Sequence, residues 1–254
     1  MKASTLGHLE EGSGPPLVLL MGLGARAEAW RPHLDAWSRT FRCIAVDNPG
    51  AGESDLGDAP LTVAGIAARV ADLLDELGVQ QVAVAGISMG ACTAQELALQ
   101  RPDLVARLVL VAPWAASDPY TDGVLESLTA SRTDSSARHF NLLLRNTVWT
   151  PEWINDHAHE FEAQLGAEPP IGVDAFAAQA RACAGHDTRD RLSAIGVPTL
   201  VTVGADDVFI RPARSYEVAD GVPGARLQMF GGTGHVHHWE RLDEFNTIVE
   251  EWLT

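Results

Sequence analysis

Three residues, far apart along a 254-residue chain, have the types and the local settings that nucleophilic catalysis needs: Ser88, Asp207 and His235. A serine hydroxyl is a poor nucleophile at neutral pH, so it needs a base within hydrogen-bond reach and a third group that fixes the tautomer of the base. Ser88 lies in Gly86-Ile87-Ser88-Met89-Gly90, the G-x-S-x-G pattern in which a strand turns so sharply into a helix that the serine is held clear of the sheet. The same turn leaves the backbone N–H of Met89, in the first turn of the helix, aimed at incoming negative charge. His235 closes the loop Gly231-Gly232-Thr233-Gly234-His235 and is the candidate base. Asp207 ends the stretch Gly204-Ala205-Asp206-Asp207 and is the candidate orienting acid, with Asp206 as its competitor.

The elements that must position these groups follow from pattern. The apolar residues that begin at Val82 and precede the elbow, with two β-branched valines, read as a buried strand, and Ala91 to Gln100 as a helix that closes at Arg101 and Pro102. Earlier, Leu6 to Glu11 reads as a short strand and Leu17 to Met21 as a core strand. The loop Gly22-Leu23-Gly24 follows, flexible enough for backbone N–H groups to approach a ligand, and is the natural place for a second oxyanion donor. Arg42 to Asp47 is a further strand. Val63, Ile66, Val70, Leu73, Leu74 and Leu77 recur at helical spacing, and Gly78 ends that helix. Leu108 to Val111 adds a strand. Strand and helix alternate, which predicts an α/β fold with a mostly parallel central sheet covered by helices on both faces.

From Trp114 to about Arg191 the alternation stops. Helices are expected over Ser135 to Asn146, from the Thr150 cap to Leu165, and over Asp174 to Ala184. This divides the chain into a core, residues 1–113 and 192–254, and an inserted helical cap, residues 114–191. Phe140, Leu143, Trp149, Trp153, Phe161 and Phe176 exceed what so small a cap needs for itself, so some are expected to line a pocket beneath it. The sheet resumes at Pro198 to Val203 and ends at Arg226 to Phe230. Leu242, Phe245, Ile248, Val249 and Trp252 stripe a closing helix.

Composition excludes several classes of function. The formal net charge is −16 and the estimated pI about 4.8, so a phosphate backbone or an anionic membrane surface would be repelled. Cys43, Cys92 and Cys183 have no CxxC or CxxH spacing, which points to reduced, buried thiols rather than disulfides or zinc. The opening residues lack a signal-peptide core, and no run of about 18 apolar residues occurs, so a cytoplasmic location is expected. No metal, cofactor, nucleic acid or membrane partner is expected; a homodimer is left open.

Taken together, the elbow GISMG, the strand end GADD and the loop GGTGH resemble the α/β-hydrolase superfamily over essentially the whole chain, in the order serine, acid, histidine. Among its branches the chain looks most like the lid-bearing esterases, enol-lactonases and cofactor-free perhydrolases, whose closing helix follows a G-H-x-x-x-x-E pattern, here Gly234, His235 and Glu240. The resemblance implies Ser88 as nucleophile, His235 as base, Asp207 as acid, and the N–H groups of Leu23 and Met89 as oxyanion donors. Met21 and Gly22 stand where that family has His-Gly. Serine in the elbow argues against haloalkane dehalogenases and epoxide hydrolases. The lack of a Gly-Pro-Gly run argues against carbon–carbon hydrolases. A small ester, or a lactone or enol-lactone, is the expected substrate, and a non-catalytic ligand binder is the reading from another class.

Gly22, Trp114, Trp149, Trp153 and His237 are the residues expected to touch substrate. His237 and His238 are read as pocket rim and helix start, and His139, His157, His159 and His186 as polar surface or local hydrogen-bonding groups. Asp47 and Ser54 are read as turn-bonding side chains.

Overall fold

The structure is a computed structural model that describes residues 6–58 and 60–254; the leader reading of the opening residues falls partly outside them. Seven strands form one sheet in the order β1-β3-β2-β4-β5-β6-β7. They are β1 (His8–Glu11), β2 (Pro16–Leu20), β3 (Arg42–Val46), β4 (Val82–Ile87), β5 (Val105–Val111), β6 (Thr199–Gly204) and β7 (Arg226–Phe230). Only β1 runs antiparallel, paired with β3 at the edge; the other neighbours are parallel.

Side-chain alternation splits the core into two layers. Leu17, Leu19, Val109 and Val111 face one hydrophobic cluster, and Val18, Leu20, Leu108 and Leu110 face the other. The first cluster is covered by α1 (Arg31–Trp37) and α11 (Leu242–Leu253), through Trp30, Trp37 and Phe245. The second is covered by α2 (Val63–Glu76) and α3 (Met89–Gln100). Helix α2 begins at Thr62, whose side chain accepts from Gly65 N–H. It stops at Gly78, which has φ 64°. There Gly78 N–H bonds Asp75 O and Val79 N–H bonds Leu74 O, the paired bonds that close a helix on a left-handed residue.

Between β5 and β6 lie α4 (Pro119–Asp134), α5 (Ala137–Val148), α6 (Pro151–Asp156), α7 (Ala158–Gln164) and α8 (Val173–Ala184). Two differences from the sequence pattern stand out. Helix α4 was not expected: its interior is threonine- and serine-rich, but Asp118 caps it by accepting Thr121 N–H, and Pro119 opens it. The helix expected from Thr150 to Leu165 breaks at His157, whose ring Nδ1 lies 2.9 Å from Trp153 O. After β6 come α9 (Pro212–Gly221), β7, and the short α10 (His237–Glu240). Among the described residues no helix is long and apolar enough to cross a membrane.

Candidate active site

The elbow is enforced by steric closeness. Ser88 has φ 55° and ψ −119°, a left-handed backbone that only surrounding structure can impose on a side-chain-bearing residue. A Cβ on Gly86 would sit 2.2 Å from Gly90 O, and one on Gly90 would sit 2.1 Å from Leu20 O. Both glycines are therefore required by backbone contact. Ser88 N–H bonds Val111 O at 2.8 Å, tying the elbow to β5.

Asp207 and His235 follow β6 and β7, and Ser88 follows β4, so all three lie at the C-terminal edge of the parallel strands, where open α/β sheets bind ligands. His235 Nδ1 is 2.7 Å from Asp207 Oδ2. An ionised carboxylate only accepts, so Nδ1 carries the hydrogen and Nε2 keeps a lone pair. The other Asp207 oxygen accepts from Phe209 N–H at 2.8 Å and Ile210 N–H at 2.9 Å, which fixes the carboxylate plane. Asp206, the competing acid, is exposed. Ser88, Asp207 and His235 are all buried.

The loop Gly22-Leu23-Gly24 is held from beneath. A Cβ on Gly22 would meet the Ser88 Cβ at 3.4 Å, so Gly22 passes directly beside the serine. Asn48 donates from Nδ2 to Met21 O at 2.9 Å and Gly22 O at 3.1 Å. In a trans peptide the C=O and N–H point opposite ways. Holding Gly22 O therefore orients the Leu23 N–H of the same peptide. Asp47 Oδ1 accepts Ala27 N–H at 2.8 Å, and Ser54 donates to Asp47 O while accepting Gly7 N–H. Asp47 thus reaches the segment after β2, while Ser54 bonds within its own loop as expected and also holds Gly7.

Other sequence-based expectations are corrected. His237 is fully buried rather than at a rim: its Nε2 lies 2.9 Å from Thr202 Oγ1 and its ring sits beside Phe230. Helix α10 starts at once after Val236 and turns this ring into the sheet. Burial lowers its pKa to about 3. Trp114 is likewise enclosed, edge-on to His186, and its carbonyl accepts from the Gln95 amide. His186 is buried as well, with Nε2 3.5 Å from Thr188 Oγ1, so of its two readings the local hydrogen-bonding one holds and the surface one does not. Trp149 and Trp153 are half-buried and stacked on each other at 5.7 Å, and Trp149 also stacks on Trp239. They join the helices inserted between β5 and β6 to α10.

Three positioning contacts escaped the sequence reading: Asn48, Gln179 and the carboxylate of Glu240. Gln179 carried a faint signal as an amide inside the alanine-rich run Phe176 to Ala184. Asn48 had none beyond its place in a glycine-rich loop. Among the described residues no three His, Cys, Asp or Glu side chains converge as metal ligands.

A strained serine at a strand-to-helix turn, with an Asp–His pair at the ends of later strands of the same sheet, defines an α/β-hydrolase architecture. The chain belongs to that family: the family model described as alpha/beta hydrolase fold matches residues 15–242. A protein named as a carbamate hydrolase, RutD, from Azorhizobium caulinodans is 31% identical over 245 residues, covering 94% of this chain and 91% of the relative. The structure of a protein named as a non-heme bromoperoxidase, BpoC, from Mycobacterium tuberculosis superposes with a TM-score of 0.89 at 26% identity, covering 98% of this chain and 95% of that one. The enol-lactonase of Burkholderia xenovorans LB400 superposes at 0.90 with 24% identity, covering 99% and 97%, a likeness of fold. The protein is thus a hydrolase of the α/β-hydrolase family.

Proposed function

We propose that the protein is a serine hydrolase that cleaves a carboxylic ester of a small, largely apolar substrate through an acyl-enzyme. The observation that carries this reading is the 2.7 Å contact between His235 and Asp207, with the free side of the imidazole available as a base. His235 Nε2 takes the Ser88 proton as Oγ adds to the ester carbonyl. The N–H groups of Leu23 and Met89 receive the oxyanion, and the alcohol leaves with the proton from His235. Water then adds to the acyl-enzyme by the same route and releases the acid.

A cavity of about 460 Å³ between α4 and α5 reaches Val208, the residue after Asp207. Its lining, including Tyr120, Val124, Leu143, Asn146 and Thr147, carries no formal charge. Carbamate and lactone cleavage begin with the same carbonyl addition. The carbamate hydrolase name of one relative and the enol-lactonase name of another make these the alternative acyl donors to assay.

The test is hydrolysis of p-nitrophenyl acetate and butyrate, beside lactones and aryl carbamates, by wild type and Ser88→Ala. Loss of turnover on the order of 10⁶ in the variant is expected. Equal turnover by both would defeat the reading, leaving a ligand-binding protein on a hydrolase fold.

A further inference from the structure

Helix α8 of the cap lies on the loops that follow β2 and β3. A Cβ on Gly24 would sit 2.9 Å from the Phe176 ring, and one on Gly50 would sit 2.5 Å from the Ala175 Cβ. Gln179 lies one turn further along the same face and is fully buried, with both ends of its amide engaged. Its Oε1 accepts Gly24 N–H at 2.9 Å, and its Nε2 donates to Pro49 O at 2.9 Å. A side-chain amide supplies an acceptor and a donor on one planar head, and both are used here. Packing an alanine-rich helix does not call for one.

Leu23 stands between two peptide planes, and each is held from a different part of the molecule. Asn48, in the core, holds Gly22 O and so the plane bearing the Leu23 N–H. Gln179, in the cap, holds Gly24 N–H and so the next plane. Glycine stands on both sides of Leu23, with Gly24 at φ 79°, and the turn is closed by Ala25 N–H on Gly22 O at 3.4 Å, so the two amides act on a short turn whose peptide planes can still tilt.

We propose that Gln179 is a positioning residue through which the seating of the cap sets the oxyanion pocket. The inference rests on the reading of Leu23 as an oxyanion donor. With α8 in place, the Leu23 N–H is aligned from both sides. When α8 is displaced, the Gly24 bond goes with it and the donor samples a wider range of directions. Turnover is thereby tied to substrates that leave α8 seated, because a misaligned donor stabilises the oxyanion poorly.

The test compares wild type, Gln179→Met and Ser88→Ala on p-nitrophenyl butyrate, together with inhibition by a trifluoromethyl ketone, which forms an oxyanion on the serine. Gln179→Met keeps the volume and removes both hydrogen bonds. The expected result is a kcat lowered roughly 10- to 100-fold, a KM within about threefold, and a ketone Ki raised by the same factor as kcat falls. A merely structural role would not move kcat and Ki together at constant KM. Wild-type kcat in the folded variant, or a rise in KM alone, overturns the proposal. Should Gln179→Met fail to fold, Gln179→Leu, which also removes both hydrogen bonds, replaces it; kcat must again fall at constant KM, and an unchanged kcat overturns the proposal. Loss of turnover in Ser88→Ala with full turnover in the Gln179 variants sinks the coupling alone. Full turnover in Ser88→Ala sinks the hydrolase reading and the coupling with it.

Discussion

Glu240 accepts the Thr150 N–H on one carboxylate oxygen at 2.8 Å, and with the other it accepts the Gly234 N–H at 2.9 Å. One buried carboxylate thus joins the start of cap helix α6 to the residue before His235. Glu240→Ala strands two buried donors, each worth roughly 1–3 kcal/mol when left unpaired. The expected outcome is a lower urea midpoint and a lower kcat for ester hydrolysis. Glu240→Gln, which keeps one acceptor, should fall between wild type and alanine in both measurements.

The two adjacent aspartates give a sharp comparison. Asp207→Asn removes the partner that holds His235 Nδ1–H, and kcat is expected to drop on the order of 10⁴. Asp206→Asn alters an exposed side chain and should leave kcat within about twofold. The reverse ranking in steady-state kinetics would reassign the acid.

Backbone closeness predicts an intolerant glycine. A Cβ on Gly204 would lie 2.0 Å from Gly234 O and 2.6 Å from Thr233 O, and neither carbonyl can swing away without moving the His235 loop. Gly204→Ala is expected to cost roughly 1–3 kcal/mol in urea unfolding and to reduce kcat. Gly231→Ala, with open space around its Cβ position, is the control and should stay within about 0.5 kcal/mol of wild type.

Acid sensitivity follows from a group of buried histidines. Burial lowers His33 and His186 to about 4 and His237 to about 3, and pushes His238 well below its ordinary value. His33 and His238 stack at 5.3 Å beside Trp30 and Phe245, with no described side chain bonded to either nitrogen of His238. Native rings stay neutral where unfolded ones, with pKa near 6.5, take up protons, so the unfolded state binds more protons below that pH. This stability is complete above about pH 6.5 and is lost as pH falls toward 4, by on the order of 1–2 kcal/mol per histidine at pH 5. Urea midpoints measured from pH 7.5 to 4.5 should fall steadily. His33→Phe should flatten that slope, and an unchanged slope would remove His33 from the cause.

The primary structure alone carried the alternation of apolar runs and periodic helices, and hence the order of the sheet-forming segments and its covering on both faces. It also carried the serine between two glycines, because that spacing is written in five consecutive residues, although only the Gly86 requirement is local and Gly90 is required by Leu20 O of the neighbouring strand. The helical character of the segment after β5 was legible for α5 and α8, whose apolar spacing is regular. It was not legible for α4, whose formation depends on its cap and on packing against α8 rather than on its own composition.

What only the folded chain decided is which side of each element faces which neighbour. His235 and His237 are two residues apart; the local G-H-x-x-x-x-E pattern picks out His235, which turns to Asp207, but nothing local shows that His237 turns into the sheet against Thr202. Trp114 is as aromatic as any pocket residue but is walled in by His186. The amides of Asn48 and Gln179 reach the same loop from segments about 130 residues apart, since the Gln179 bond to Pro49 spans 130 positions. Hydrogen bonds of that range are set by how core and cap layers stack, a property of the assembled fold that no window of sequence contains.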